Sequence, residues 1–167
     1  MLSHSPRHDR ASTYARLGLF KRLSSFAELE LRIAQLATEK ERGDAFEVFV
    51  EAYLSTDEMA QAEELWVIGK VPGEVRRQLN LPSRDYGYDG VLRTKLGELV
   101  PYQAKFRSDR ASLPYAELAT FFGISEKADR RVVLTNSIAI SAVAESRTSF
   151  QTTRGGDFDR LDAAQLA

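Results

Sequence analysis

Two stretches of strand-forming residues, 88–94 and 99–106, flank Lys95-Leu96-Gly97, and this pairing leaves the middle of the chain little choice of fold. A three-residue connection between antiparallel strands commonly needs one residue at positive φ, which Gly97 supplies without steric cost. If the hairpin closes so that Thr94 faces Glu98, Asp89 falls opposite Gln103. Side chains alternate along a strand, so Gln103 and Lys105 share one face and Ala104 takes the other. Opposed residues also share a face, which predicts a carboxylate, an amide and an ammonium converging on one side of a sheet.

The surrounding pattern alternates between helix and strand. A weak helical pattern covers 10–22, and Ser25 is placed to cap a helix running to about Ala37. Gly43-Asp44 reads as an interruption before a helix from Ala45 to Leu54, whose Phe46, Phe49, Val50, Tyr53 and Leu54 form one apolar stripe. Glu47 lies at the rim of that stripe, and Glu51 further round towards solvent. Leu65-Trp66-Val67-Ile68 reads as a central strand, 72–79 as a short helix, and 113–123 as a helix capped by Ser112. Arg131 to Thr135 reads as another strand. A helix over 138–146, a short strand near 150–153 and a C-terminal helix from Asp157 follow. The expected class is α/β: an αβββαβ core with a central mixed sheet and an N-terminal helical extension. The expected division is 1–42 as leader and extension and 43–167 as the main domain.

Composition narrows the chemistry. The chain has no cysteine and only two histidines, His4 and His8, which excludes a thiolate nucleophile and a Cys-containing zinc site. Both histidines sit in a polar leader that reads as a mobile end, so histidine-based acid–base catalysis is not expected. The chemistry falls to carboxylates, amides, hydroxyls, lysines and a hard, oxygen-loving metal ion. No apolar run approaches 18 residues and the N-terminus has no secretion-signal stretch, so the expectation is a soluble, cytoplasmic protein without membrane partners. Net charge is −1, but residues 28–64 carry eleven acidic and three basic side chains, and residues 65–131 twelve basic and eight acidic. Arg76, Arg77, Arg84, Arg107, Arg110, Arg130 and Arg131 are read either as ordinary solvated pairs or as a phosphate-facing rim, and composition does not choose between the two.

In the converging set, Asp89 is suited to anchor Mg²⁺, with the Gln103 side-chain oxygen and the Ala104 carbonyl completing part of an oxygen shell. Lys105 is suited to position a water and to offset charge that develops on a phosphoryl group. Three elements then resemble the PD-(D/E)xK nucleases, in particular the Mrr-like branch found at the N-terminus of restriction-type helicases. Gly43-Asp44-Ala45-Phe46-Glu47 resembles the Gly-x-x-Phe-Glu of the family's first helix, Asp85-Tyr86-Gly87-Tyr88-Asp89 its Asp-x-Gly-Ile-Asp, and Gln103-Ala104-Lys105 its Gln-x-Lys. Tyr88 departs from the usual apolar residue, and Gln103 brings no charge where many relatives have Glu. The resemblance implies a restriction-endonuclease-like core, catalysis by Asp89, Gln103 and Lys105 with Glu47 as an assisting carboxylate and further metal ligand, and Mg²⁺ that Mn²⁺ replaces. Asp85 is left between a functional and a loop-shaping role.

The expected activity is metal-dependent hydrolysis of DNA phosphodiesters. The rival is a nucleic-acid-binding or docking module that keeps the fold without turnover. Arg84, Arg107 and Arg110 are the expected DNA contacts. No Walker motif or helix-turn-helix is present, so translocation and target recognition are expected from other domains or chains, such as a helicase. The ending at 162–167 reads like a chain cut in or after a helix, and weak or no self-association is expected. Few uncompensated cations mean few neutralised phosphates, each contributing about −0.9 to the slope of log K against log salt. The chain should therefore bind unrelated duplexes with micromolar or weaker affinity and a shallow salt dependence. Titration at two salt concentrations checks this, and nanomolar, sequence-selective binding would contradict it.

Overall fold

The computed structural model describes residues 7–84, 86–147 and 149–167. Five strands form one sheet in the order β1 (Ala62–Val67), β2 (Gly90–Thr94), β3 (Leu99–Lys105), β4 (Arg131–Thr135) and β5 (Phe150–Thr153). The β1/β2 and β2/β3 pairs are antiparallel, and β3/β4 and β4/β5 are parallel. The sheet is thus mixed, as the sequence pattern predicts. Gly97 has φ +84° at the β2–β3 turn, and the register runs from Gly90 opposite Tyr102 to Arg93 opposite Leu99.

Helices cover both faces. On one, α1 (Ala11–Arg16), α2 (Phe26–Ala34), α3 (Glu39–Thr56) and α7 (Gly155–Phe158) share a core with Leu65, Val67, Leu92, Val100, Tyr102 and Leu134. Phe158 packs on Phe26, Phe46, Phe49 and Tyr53, which fastens the C-terminal part of the chain to the N-terminal helices. On the other face, α4 (Gly73–Leu79), α5 (Ala119–Ile124) and α6 (Ala142–Glu145) enclose Trp66, Val91, Leu99 and Val133. A last short helix, α8, spans Ala163–Leu166. No helix among the described residues is long and apolar enough to cross a membrane.

Three local expectations are corrected. Gly43-Asp44 does not interrupt α3, which starts at Glu39 and runs through both residues. Thr38 and Glu41 form a capping box there, and Lys40 pairs with Asp44 one turn on at 2.9 Å. Together these offset the cost of about 1 kcal/mol for a mid-helix glycine. The segment 113–123 is not one helix. Leu113 bridges to Ile140, with Leu113 N–H on Ala139 O at 3.0 Å and Ser141 N–H on Leu113 O at 2.9 Å, while Pro114 disfavours a helical Leu113. A 3₁₀ turn at Tyr115–Glu117 precedes the shorter α5. Glu51 does not face solvent: it is 0% exposed and accepts the N–H groups of Arg7 and His8 at 2.6 and 3.0 Å.

Two of the expected DNA contacts pair with carboxylates of the chain itself. The Arg110 guanidinium holds Glu30 of α2 through Nε at 2.8 and 2.9 Å and both oxygens of Asp159 at 2.7 Å. Arg107 pairs with Glu117 at 2.5 Å. Their partners lie too far along the chain for local charge counting to anticipate. Hydrogen bonds from Arg110 hold the Asp159 carboxyl below its ordinary range. A carboxyl depressed in the folded state contributes stability above its unfolded pKa of about 4 and loses it as pH falls through the lower folded value. Arg110→Ala should cost roughly 1.5–3 kcal/mol in chemical denaturation and return the Asp159 titration, followed by NMR, to the ordinary range. An unchanged titration would show that the clamp does not persist in solution.

Candidate functional site

The site is built where β2 and β3 part company. Asp89 immediately precedes β2. Its N–H donates to Tyr102 O at 2.9 Å and its carbonyl accepts Ile68 N–H at 2.8 Å, so its backbone is held between β1 and β3. Gly90 is also opposite Tyr102. Two residues therefore stand against one, the geometry of a bulge, and Asp89 does not lie opposite Gln103 as the extrapolated register predicts. It reaches β3 another way: its Oδ2 accepts Ala104 N–H at 2.6 Å. A side-chain carboxylate thus takes the place of a strand carbonyl and brings negative charge to the peptide between Gln103 and Ala104.

Gly90 makes this possible. A Cβ there would stand 2.4 Å from Trp66 O and 2.5 Å from the Tyr102 hydroxyl, so the tyrosine ring fills the space that a side chain would need. Burial pushes the Tyr102 phenol well above its usual pKa, and the carboxylates of Asp89, Glu51 and Glu47 add to the shift. All three carboxylates therefore act electrostatically on one neutral hydroxyl.

Gln103 and Lys105 do share a face. In the parallel ladder Gln103 lies opposite Val133 and Lys105 opposite Thr135, and partners in a ladder project to the same side. Val133 belongs to the core enclosed by α4, α5 and α6, so this is the face away from α3. Gln103 is 5% exposed, and its Oε1 has no hydrogen-bond partner among the described residues. Lys105 is half-buried, with no hydrogen bond or ion pair to a described residue. An orphaned buried amide oxygen costs about 1–3 kcal/mol, and a ligand that accepts its lone pair removes that cost. Asp89 and Gln103, flanking one peptide of β3, thus fit a hard divalent cation with oxygen ligands.

Glu47 is placed elsewhere than beside Gln103. It lies on the α3 face, where its carboxylate meets His8 Nε2 at 3.0 Å. His8 is not in a mobile end: its N–H is held by Glu51 and its ring by Glu47. Nothing in the local sequence marks this residue, whose partners lie 39 and 43 positions away. The other residue that sequence reasoning missed is Asn136. Its Oδ1 accepts Arg107 N–H at 2.7 Å while its Nδ2 donates to Arg107 O at 2.6 Å, fixing the chain as it leaves β3. Arg84 is exposed, and like Arg76 and Arg77 it has no ion pair to a described residue. Asp85 lies outside the described residues.

No protein-family model matches the chain, and no curated protein sequence matches it. Among solved structures the fold is similar to that of the ATP-dependent Type ISP restriction-modification enzyme LlaBIII bound to DNA. The TM-score is 0.60 and the identity 19%, over 83% of this chain and 8% of that one. The likeness is one of fold. This chain spans less than a tenth of that enzyme's length.

If Gly90 is required for the Asp89 geometry, Gly90→Ala should destabilise the fold by about 1–3 kcal/mol through overpacking and weaken protection of the Ala104 amide from hydrogen exchange. Wild-type stability and protection would show that Tyr102 is free to give way.

Proposed function

We propose that this chain is a metal-dependent DNA endonuclease domain of a restriction system, in which Asp89, Gln103 and Lys105 carry the chemistry. The observation that carries the reading is the Asp89 carboxylate on the Ala104 N–H, next in the chain to Gln103, whose buried side-chain oxygen has no partner among the described residues. The fold shared with one segment of a DNA-bound restriction-modification enzyme supports it. Asp89, the Gln103 oxygen and the Ala104 carbonyl would hold Mg²⁺ or Mn²⁺. When bound, that cation supplies Lewis-acid polarisation of the phosphoryl oxygens.

The chain's own residues do the remaining work. Lys105, without a described partner to neutralise it, orients a water for in-line attack and offsets the charge that grows on the pentacoordinate phosphorus. The bond from phosphorus to the 3′ oxygen breaks, leaving a 5′-phosphate and a 3′-hydroxyl. Glu47, engaged by His8, acts with Asp89 on the Tyr102 hydroxyl and is the assisting carboxylate of this reading. DNA would be delivered by a helicase or target-recognition part of a larger chain or complex, because tethering raises the effective concentration of a weakly binding domain. The engagement of Arg107 and Arg110 in ion pairs within the chain favours one second reading, a docking module that retains the fold without turnover.

Cleavage of linear and supercoiled DNA under a metal titration separates the two. Cutting should require Mg²⁺ or Mn²⁺ and fall on the order of 10²-fold or more in Asp89→Ala and in Lys105→Ala. Circular dichroism of the Lys105 variant should be unchanged. Wild-type cutting by both variants at saturating metal would contradict the nuclease reading.

A further inference from the structure

A second group of metal-ligating side chains lies on the opposite face of the sheet from Gln103. A cavity of about 500 Å³ beside α3 is lined by His8, Lys40, Asp44, Glu47, Val67 and Ile68, among others. One ligand atom each from His8, Asp44 and Glu47 lie within 4.8 Å of one another. Asp44 and Glu47 are three residues apart on α3, so they lie on one side of the helix. His8 comes from a separate segment whose position is independently fixed. Arg7 and His8 N–H groups bind Glu51, the Arg7 guanidinium donates to Leu65 O at 2.9 Å, and Lys70 Nζ donates to Arg7 O at 2.5 Å. The backbone that carries the imidazole is therefore fixed by contacts that involve neither Asp44 nor Glu47.

We propose that His8 Nε2, Asp44 and Glu47 form a site for a divalent transition-metal ion that fastens the N-terminal segment to α3. Of the residues named for the nuclease reading this site shares only Glu47, and it uses none of Asp89, Gln103 and Lys105. One imidazole and two carboxylates suit Zn²⁺ or Mn²⁺ better than Mg²⁺, which prefers an all-oxygen shell. Water in the open cavity completes the coordination. Two groups now hold positions that the metal takes. Lys40 bonds both Asp44 oxygens at 2.9 and 3.0 Å, but its side chain is 82% exposed and such surface pairs are easily given up. His8 Nδ1 accepts Arg10 N–H at 3.1 Å, which places the proton of a neutral ring on Nε2, facing Glu47. In the neutral ring, metal binding at Nε2 moves that proton to Nδ1, and the exposed Arg10 N–H turns to water.

The test is calorimetry with Zn²⁺ on the full chain carrying Asp89→Asn, in which the amide oxygen still accepts Ala104 N–H while the Asp89 charge is gone. One equivalent should bind, at least tenfold more weakly after adding His8→Gln or Asp44→Asn and unchanged after His4→Ala, with millimolar Mg²⁺ failing to compete. In the His8-intact chain, nitrogen NMR should show the ring proton pass from Nε2 to Nδ1 on saturation. Equal affinity in the His8→Gln chain, or a His8 ring unmoved by saturating Zn²⁺, would overturn the proposal. Either outcome is read separately from cleavage, so it leaves the Asp89 reading to its own test.

Discussion

The hydrogen bond from Ala104 N–H to the Asp89 carboxylate, at 2.6 Å, is the contact around which the middle of this molecule is arranged. A strand ladder normally satisfies such an N–H with a neighbouring carbonyl. Here β2 starts only at Gly90, opposite Tyr102, and does not reach Ala104, so a carboxylate takes over. The backbone requirement is met, because a buried donor left unpaired is costly, and a negative charge is installed beside β3 as part of the same bond. Gly90 and Tyr102 make room for it, since the ring lies where a Cβ would stand. A Cβ at that glycine would meet the β1 backbone at Trp66 O as well as the Tyr102 ring.

Much else serves to hold the two strands at this spacing. The apolar stripe of α3 packs on β1, β2 and β3 from one side, and Leu118, Phe121 and Tyr88 fill the other. Arg110 binds α2 to the segment after α7 through Glu30 and Asp159, and Asn136 joins the exits of β3 and β4 through Arg107. These polar clamps stand at the end of the sheet where the parallel strands β3 and β4 finish, the end at which open α/β sheets commonly place their ligands. The two faces have different chemistry. Gln103 and Lys105 project to one with few described partners, while Glu47, Asp44 and His8 gather on the other.

The sequence is legible where its signals are local. The β2–β3 hairpin, the Gly97 turn, the Ser25 cap and the strand at Arg131–Thr135 all rest on residues within a few positions of each other, and the structure has them. The reading fails where a distant partner decides. Leu113 is extended because Ile140 pairs with it. Arg110 is an internal clamp because Glu30, 80 residues earlier, and Asp159, 49 later, meet at one guanidinium. The start of α3 was misplaced for a different reason: Gly43 is a local breaker, and the capping box that outweighs it lies five residues upstream. Within the candidate site, alternation correctly sends Gln103 and Lys105 to one face. It misplaces Asp89 because a bulge adds one residue at the start of β2, a backbone event with no period of its own.

Asp89 and Gln103 are the residues proposed to hold a cation on β3. Paramagnetic broadening by Mn²⁺, followed amide by amide, tests this most directly, because it reads distance from the ion and does not depend on turnover. In a chain carrying His8→Gln and Asp44→Asn, which disable the site on α3, substoichiometric Mn²⁺ should remove the Ala104 amide and the Gln103 side-chain NH₂ first, and adding Asp89→Asn should restore both signals. Survival of these resonances while others broaden, or broadening that Asp89→Asn leaves in place, would contradict the account.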